Sequence, residues 1–138
     1  MFLTALIVDD NSVMREFIRT TLETRGWVVR DAADAISALR LFRNQPPQLV
    51  MLDLVMPSLD GLDSVDFLTL IRKDAHKVPV LLVSGIGSRF IEEHPEFCDL
   101  EVFDKSSDDP GLKTLFARAD AIFRELSAKK ETPTSRLV

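Results

Sequence analysis

The chain has 138 residues, 46% of them apolar and 28% charged, with a formal net charge of −5. This is enough apolar content for one domain with a single core, and it excludes a disordered chain. The negative balance argues against direct nucleic-acid binding, and no apolar stretch approaches the roughly 18 residues of a membrane span. The opening MFLTALIVDD has neither a basic region nor a small-residue cleavage site, so a cytoplasmic protein without a secretion signal is expected. Cys98 is the single cysteine; it has no internal disulfide partner and fits a buried thiol in a reducing compartment.

Short apolar runs alternate with helical patterns along the chain. LTALIV (3–8) is too short for a helix and fits a strand buried on both faces. A helix follows from Ser12 as a possible N-cap, with Met14, Phe17, Ile18, Thr21 and Leu22 as its core face, and Gly26 stops it. WVV (27–29) begins a second strand, and Ala33 to Arg43 is helical through Ala35, Ile36, Leu39 and Phe42 until Pro46 and Pro47. LVMLD (49–53) is the third strand; a turn with Pro57 and Gly61 leads to a helix with Val65, Phe67, Leu68 and Ile71 inward. VPVLLVSG (78–85) is the fourth strand, and Pro95 interrupts any long helix across 86–100. EVFDK (101–105) is a short fifth strand. The last helix has Asp109 as cap, Pro110 at its first position, and the stripe Leu112, Leu115, Phe116, Ala119, Ile122, Phe123 and Leu126. Residues 127–138 turn polar and read as a frayed end or the start of a linker, leaving 1–126 as the domain.

Five strand–helix pairs imply an α/β fold: one parallel sheet, right-handed crossovers, helices on both faces. In such sheets ligands sit at the carboxyl ends of the strands. That rule gathers Asp9 and Asp10 after strand one, Asp53 after strand three, Ser84 after strand four and Lys105 after strand five. Asp9 and Asp10 alone would serve equally well as a solvated helix cap. Together with Asp53 they crowd three carboxylates into one pocket, a repulsion that a magnesium ion with oxygen ligands relieves. An ammonium and a cation beside Asp53 suit its carboxylate to attack a phosphoryl group, with Lys105 and the Ser84 hydroxyl on the phosphoryl oxygens. His76 and His94 have no partner at zinc-ligand spacing, His76 fitting a helix C-terminus. GIGS (85–88) has Phe90 where a dinucleotide loop needs its third glycine.

VDDNSVMREFIRTTLETRG, LVMLDLVMPSLDGL, VPVLLVSG and VFDK, in that order, resemble the receiver domains of bacterial response regulators, CheY-like in fold, from about Leu3 to Leu126. The middle motif is the most specific: Pro57 and Gly61 follow Asp53 by four and eight residues. The strand order 2-1-3-4-5 is implied by this resemblance and not by the spacing. So is the site: Asp53 as phosphoacceptor from a histidine kinase or phosphotransfer protein, magnesium held by Asp9, Asp10, Asp53 and the Val55 backbone carbonyl, and Ser84 and Lys105 on the phosphoryl group. The resemblance implies a signalling domain, not an enzyme beyond its own phosphotransfer and dephosphorylation. Output is expected through a downstream protein or a linked domain, with a homodimer across the last helix and fifth strand left open.

The sequence departs from the family at four positions. Val102 stands three positions before the lysine, where an aromatic switch residue is usual; Phe103 is next door but faces the other side of a strand. Ser106 replaces the proline whose cis bond usually follows the lysine; without proline a cis bond costs about 3 kcal/mol. Val55 and Ile86 flank the site with apolar side chains, which are expected to slow attacking water. A phosphorylation-independent interaction module is the main rival reading. A phosphatase with an aspartyl nucleophile is weaker, since Val55 stands where its second aspartate belongs. A flavodoxin-like carrier is weaker still, because Asp9 and Asp10 would repel a phosphate unaided by metal.

Overall fold

The apolar runs form strands because each is short, β-branched or leucine-rich, and bounded by turn residues. In a computed structural model that describes residues 2–56, 61–73, 77–105 and 111–136, they are β1 (Thr4–Val8), β2 (Val28–Ala32), β3 (Leu49–Leu52), β4 (Val80–Val83) and β5 (Glu101–Phe103). They make one parallel sheet in the order β2-β1-β3-β4-β5. Between them lie α1 (Ser12–Thr24), α2 (Ala35–Asn44), α3 (Ser64–Arg72), α4 (Gly87–Glu93) and, last, α5 (Gly111–Arg136). Pro95–Phe97 adds one turn of 3₁₀ helix, so Pro95 does end the fourth helix early.

Alternation along the strands divides the core in two. Leu6, Val8, Val50, Leu52 and Leu82 pack against α2, α3 and α4 through Phe42, Phe67, Leu68 and Phe90. Ala5, Ile7, Met51, Leu81 and Val83 pack against α1 and α5 through Ile18, Leu22, Leu115, Phe116, Ala119 and Ile122. The expected stripes of α3 and α5 are the ones used.

Several boundaries and faces differ from expectation. Asn11, not Ser12, caps α1: its backbone is extended and its side chain accepts from the Met14 amide at 3.0 Å. The helix ends at Thr24, and Gly26 adopts φ +98°, a left-handed turn that favours glycine. Phe17 is half exposed, because the buried line of α1 runs through Ile18 and Leu22; its ring meets Phe116 edge-on instead. α2 starts two residues late, at Ala35, where Asp34 accepts from the Ser37 amide. β2 continues through Arg30 and Asp31 to Ala32; as an outer strand it tolerates polar residues, and Asp31 pairs with Arg19 of α1 at 2.8 Å. β4 and β5 are shorter than the apolar runs suggested. Cys98 is exposed, a correction, because it caps the surface 3₁₀ turn and is not on a core element. α5 runs on to Arg136, so most of the polar stretch after Leu126 is helical. Pro57, His76, Ser106, Asp109 and Pro110 lie outside the described residues.

Candidate functional site

Parallel strands bring their carboxyl ends to one edge of the sheet, and here the ladder holds for one residue beyond β1, β3 and β4. The Asp9 N–H donates to the Ala32 carbonyl at 3.1 Å, the Asp53 N–H to Val8 at 2.8 Å, and the Ser84 N–H to Phe103 at 2.9 Å. These residues follow β1, β3 and β4, and all three are buried.

The acids converge. Carboxylate oxygens of Asp9, Asp10 and Asp53 lie within 4.8 Å of one another, with Asp10 at the exposed side. Lys105, two residues past β5, places Nζ 2.7 Å from Asp9 Oδ2 and 3.2 Å from Asp53 Oδ2. One ammonium thus bridges two buried carboxylates. Burial pushes the Asp53 carboxyl above its ordinary range, against the opposing pull of the Val55 amide and Lys105. For Lys105, burial pulls downward, but the hydrogen bond to Asp9 and the charges of both acids outweigh it and hold the ammonium above the usual lysine value.

Local bonds fix the carboxylates. The Asn11 amide donates to Asp9 Oδ1 at 2.8 Å, and the Val55 amide to Asp53 Oδ1 at 3.1 Å. The Val55 side chain is 56% exposed and stands at the rim. Ser84 Oγ accepts from the Ile86 amide at 3.3 Å, so this hydroxyl is engaged with the start of α4.

Three further residues support the site. Arg15 Nη1 donates to the Asp9 carbonyl at 2.6 Å, Ser64 Oγ donates to the Asp53 carbonyl at 2.9 Å, and Asn11 both caps α1 and holds Asp9. Asn11 was legible as a strong cap residue directly after the acids. Arg15 and Ser64 gave no signal, since each acts by reaching a carbonyl that only the fold brings near.

The family model for the response regulator receiver domain matches residues 5–104. The chain belongs to this family. Its receiver-domain relatives include the response regulator MprA of Mycobacterium sp. (strain KMS), 34% identical across 88% of this chain and 51% of that protein. The alkaline phosphatase synthesis transcriptional regulatory protein SphR of Synechococcus elongatus is 32% identical across 93% of this chain and 52% of its own length. The chain therefore spans about half the length of these curated relatives. Among solved structures, NtrX from Brucella abortus superposes with a TM-score of 0.74 at 28% identity, covering all of this chain and 30% of that one. The N-terminal domain of a Wolinella succinogenes protein gives a TM-score of 0.78 at 24% identity, with 92% and 98% of the two chains covered, a likeness of fold alone. Among the described residues no helix is long and apolar enough to cross a membrane.

Proposed function

We propose that this receiver domain takes a phosphoryl group onto Asp53 from a phosphohistidine of a histidine kinase or phosphotransfer protein. Asp53 Oδ attacks phosphorus, the P–N bond breaks with its electron pair returning to the imidazole, and an acyl phosphate forms. The observation that supports this best is the Lys105 ammonium shared by Asp9 and Asp53 within one acidic cluster. A buried carboxylate pair beside a lysine is costly for mere stability, which favours a chemical use.

Receiver domains in general bind magnesium, and the donor set here suits it: three carboxylates, hard oxygen ligands only, close enough to share one ion. Asp9, Asp10, Asp53 and the Val55 carbonyl would hold it. When bound, the ion offsets the crowded negative charge and polarises a phosphoryl oxygen. Lys105 covers a second oxygen by letting go of Asp9, and Ser84 donates to a third by turning from Ile86. The Asn11 and Val55 amides keep Asp9 and Asp53 oriented throughout. The domain works in the cytoplasm, and its output passes through a downstream protein or a linked domain, the latter in line with the greater length and regulatory names of MprA and SphR.

The test is incubation with acetyl phosphate and magnesium, followed by mass spectrometry of the whole protein. A phosphoryl mass gain that is absent in Asp53→Asn supports the proposal. No gain in the wild type favours a phosphorylation-independent interaction module.

A further inference from the structure

Gly87 opens α4 and is buried, yet its backbone is not left-handed, so it is not glycine for the sake of φ. It is glycine for room. A methyl group added there would fall within the volume of the Val102 Cγ1 methyl and lie 3.3 Å from Val102 Cβ. Gly85, two residues earlier, has nothing within 4 Å of the same position. Val102 pairs with Leu82 across the sheet and faces α4, whereas Phe103 packs on the opposite side with α1 and α5. No aromatic ring therefore rises from β5 between the sheet and α4.

Ser84 joins the same assembly at two points. Its amide holds the Phe103 carbonyl, and its Oγ accepts from the Ile86 amide at 3.3 Å. Ile86 is the N-cap residue of α4, and its own apolar side chain makes no capping bond. The Ser84 hydroxyl is thus bonded to the residue that precedes the first turn of α4. An open cleft of about 450 Å³ borders Ser84, Ser88, Arg89 and Val102, so the loop has space to move.

We propose that Val102, seated in the space left by Gly87, carries the state of Ser84 to β5 by direct steric contact, in place of a rotating aromatic ring. This rests on the phosphoacceptor reading. When the Ser84 hydroxyl turns to a phosphoryl oxygen, the Ile86 amide loses its acceptor and the first turn of α4 follows the loop. Val102 Cγ1 occupies the place where a Gly87 Cβ would stand, so a shift of Gly87 toward β5 meets that methyl group. A β-branched valine has few χ1 states, so it moves with α4 or hops to another rotamer, and β5 registers one of two positions.

Amide NMR of the whole chain, with and without beryllofluoride and magnesium as a phosphoryl mimic, tests this. In wild type the mimic is expected to shift the amides of 86–90 and of Glu101. In Val102→Ala the 86–90 response persists while that of Glu101 falls by more than half; Phe103, bonded directly to Ser84, still responds. Without the mimic, and read at Phe90 and Ile91, which adjoin no substituted position, Gly87→Ala displaces the amide resonances, Gly87→Ala/Val102→Ala returns them toward wild type, and Gly85→Ala leaves them in place. A full Glu101 response in Val102→Ala, or no rescue in the double variant, overturns the proposal. If Gly87→Ala does not fold, the Val102→Ala response decides alone. Failure of the mimic to shift Leu54 and Val55 in wild type instead counts against the phosphoacceptor reading, and the rescue experiment still judges the steric seat.

Discussion

Ser64 donates its hydroxyl to the carbonyl of Asp53 at 2.9 Å, and both residues are buried. The first residue of α3 thereby fixes the backbone on which the central carboxylate is mounted. Removing the hydroxyl leaves a buried carbonyl without that donor, at a cost of about 1–2 kcal/mol. Ser64→Ala should lower the urea midpoint accordingly, with an unchanged denaturant slope. An unaltered midpoint would show that this bond is dispensable.

Asp53 should act against the stability of its own fold at neutral pH. Burial raises its folded-state pKa, so the folded chain binds that proton more tightly than the unfolded chain does. The resulting stability is present below the ordinary aspartate value of about 4 and is lost as pH rises through the folded value. Asp53→Asn, which stays neutral, is expected to melt higher than wild type at pH 7. The gap should close in acid, and equal melting temperatures at neutral pH would contradict the argument.

Lys105 has the opposite sign. Its raised pKa means that its contribution is fully present below the ordinary lysine value and disappears as pH rises through the folded one. Lys105→Met leaves Asp9 and Asp53 facing each other without their shared cation. The expected loss at neutral pH is about 2 kcal/mol, less than for a fully enclosed pair because the lysine side chain retains 21% exposure. Magnesium should raise the melting temperature of this variant more than that of wild type. Equal gains would mean that lysine and metal do not share Asp9.

The apolar rim should set how long a phosphoryl group survives. Val55 is exposed beside Asp53, and Ile86 is half-buried next to Ser84. Ile86→Glu and Val55→Asn, each offering a polar group to orient water, are expected to shorten the lifetime several-fold. Following loss of the added mass after removal of acetyl phosphate measures this directly. An unchanged rate in both variants counts against a role for these side chains.

The strand–helix alternation was readable because each apolar run is too short for a helix and ends at an acid or a turn. Asp9, Asp53, Ser84 and Lys105 could be assigned to one edge because parallel strands present their ends together. Details set by neighbours were not readable. Phe17 lies on the apolar stripe of α1, but packing selects Ile18 and Leu22 and turns Phe17 to Phe116. β2 hides its last residues behind the polar pair Arg30 and Asp31, acceptable only because the strand lies at the sheet margin. Arg15 and Ser64 serve backbone carbonyls, and no local pattern marks such a partner. Gly87 and Val102 are far apart in sequence, and only the pairing of β4 with β5 brings them into contact.

Asp9, Asp53 and Ser84 each form the last rung of a ladder shared with a different neighbouring strand. The pocket consequently has no existence apart from the assembled sheet: fraying any of the three seams pulls one wall away. A copy in which one of these seams has opened would have no complete pocket. On the proposed reading, phosphotransfer would thereby be confined to molecules whose sheet is fully assembled.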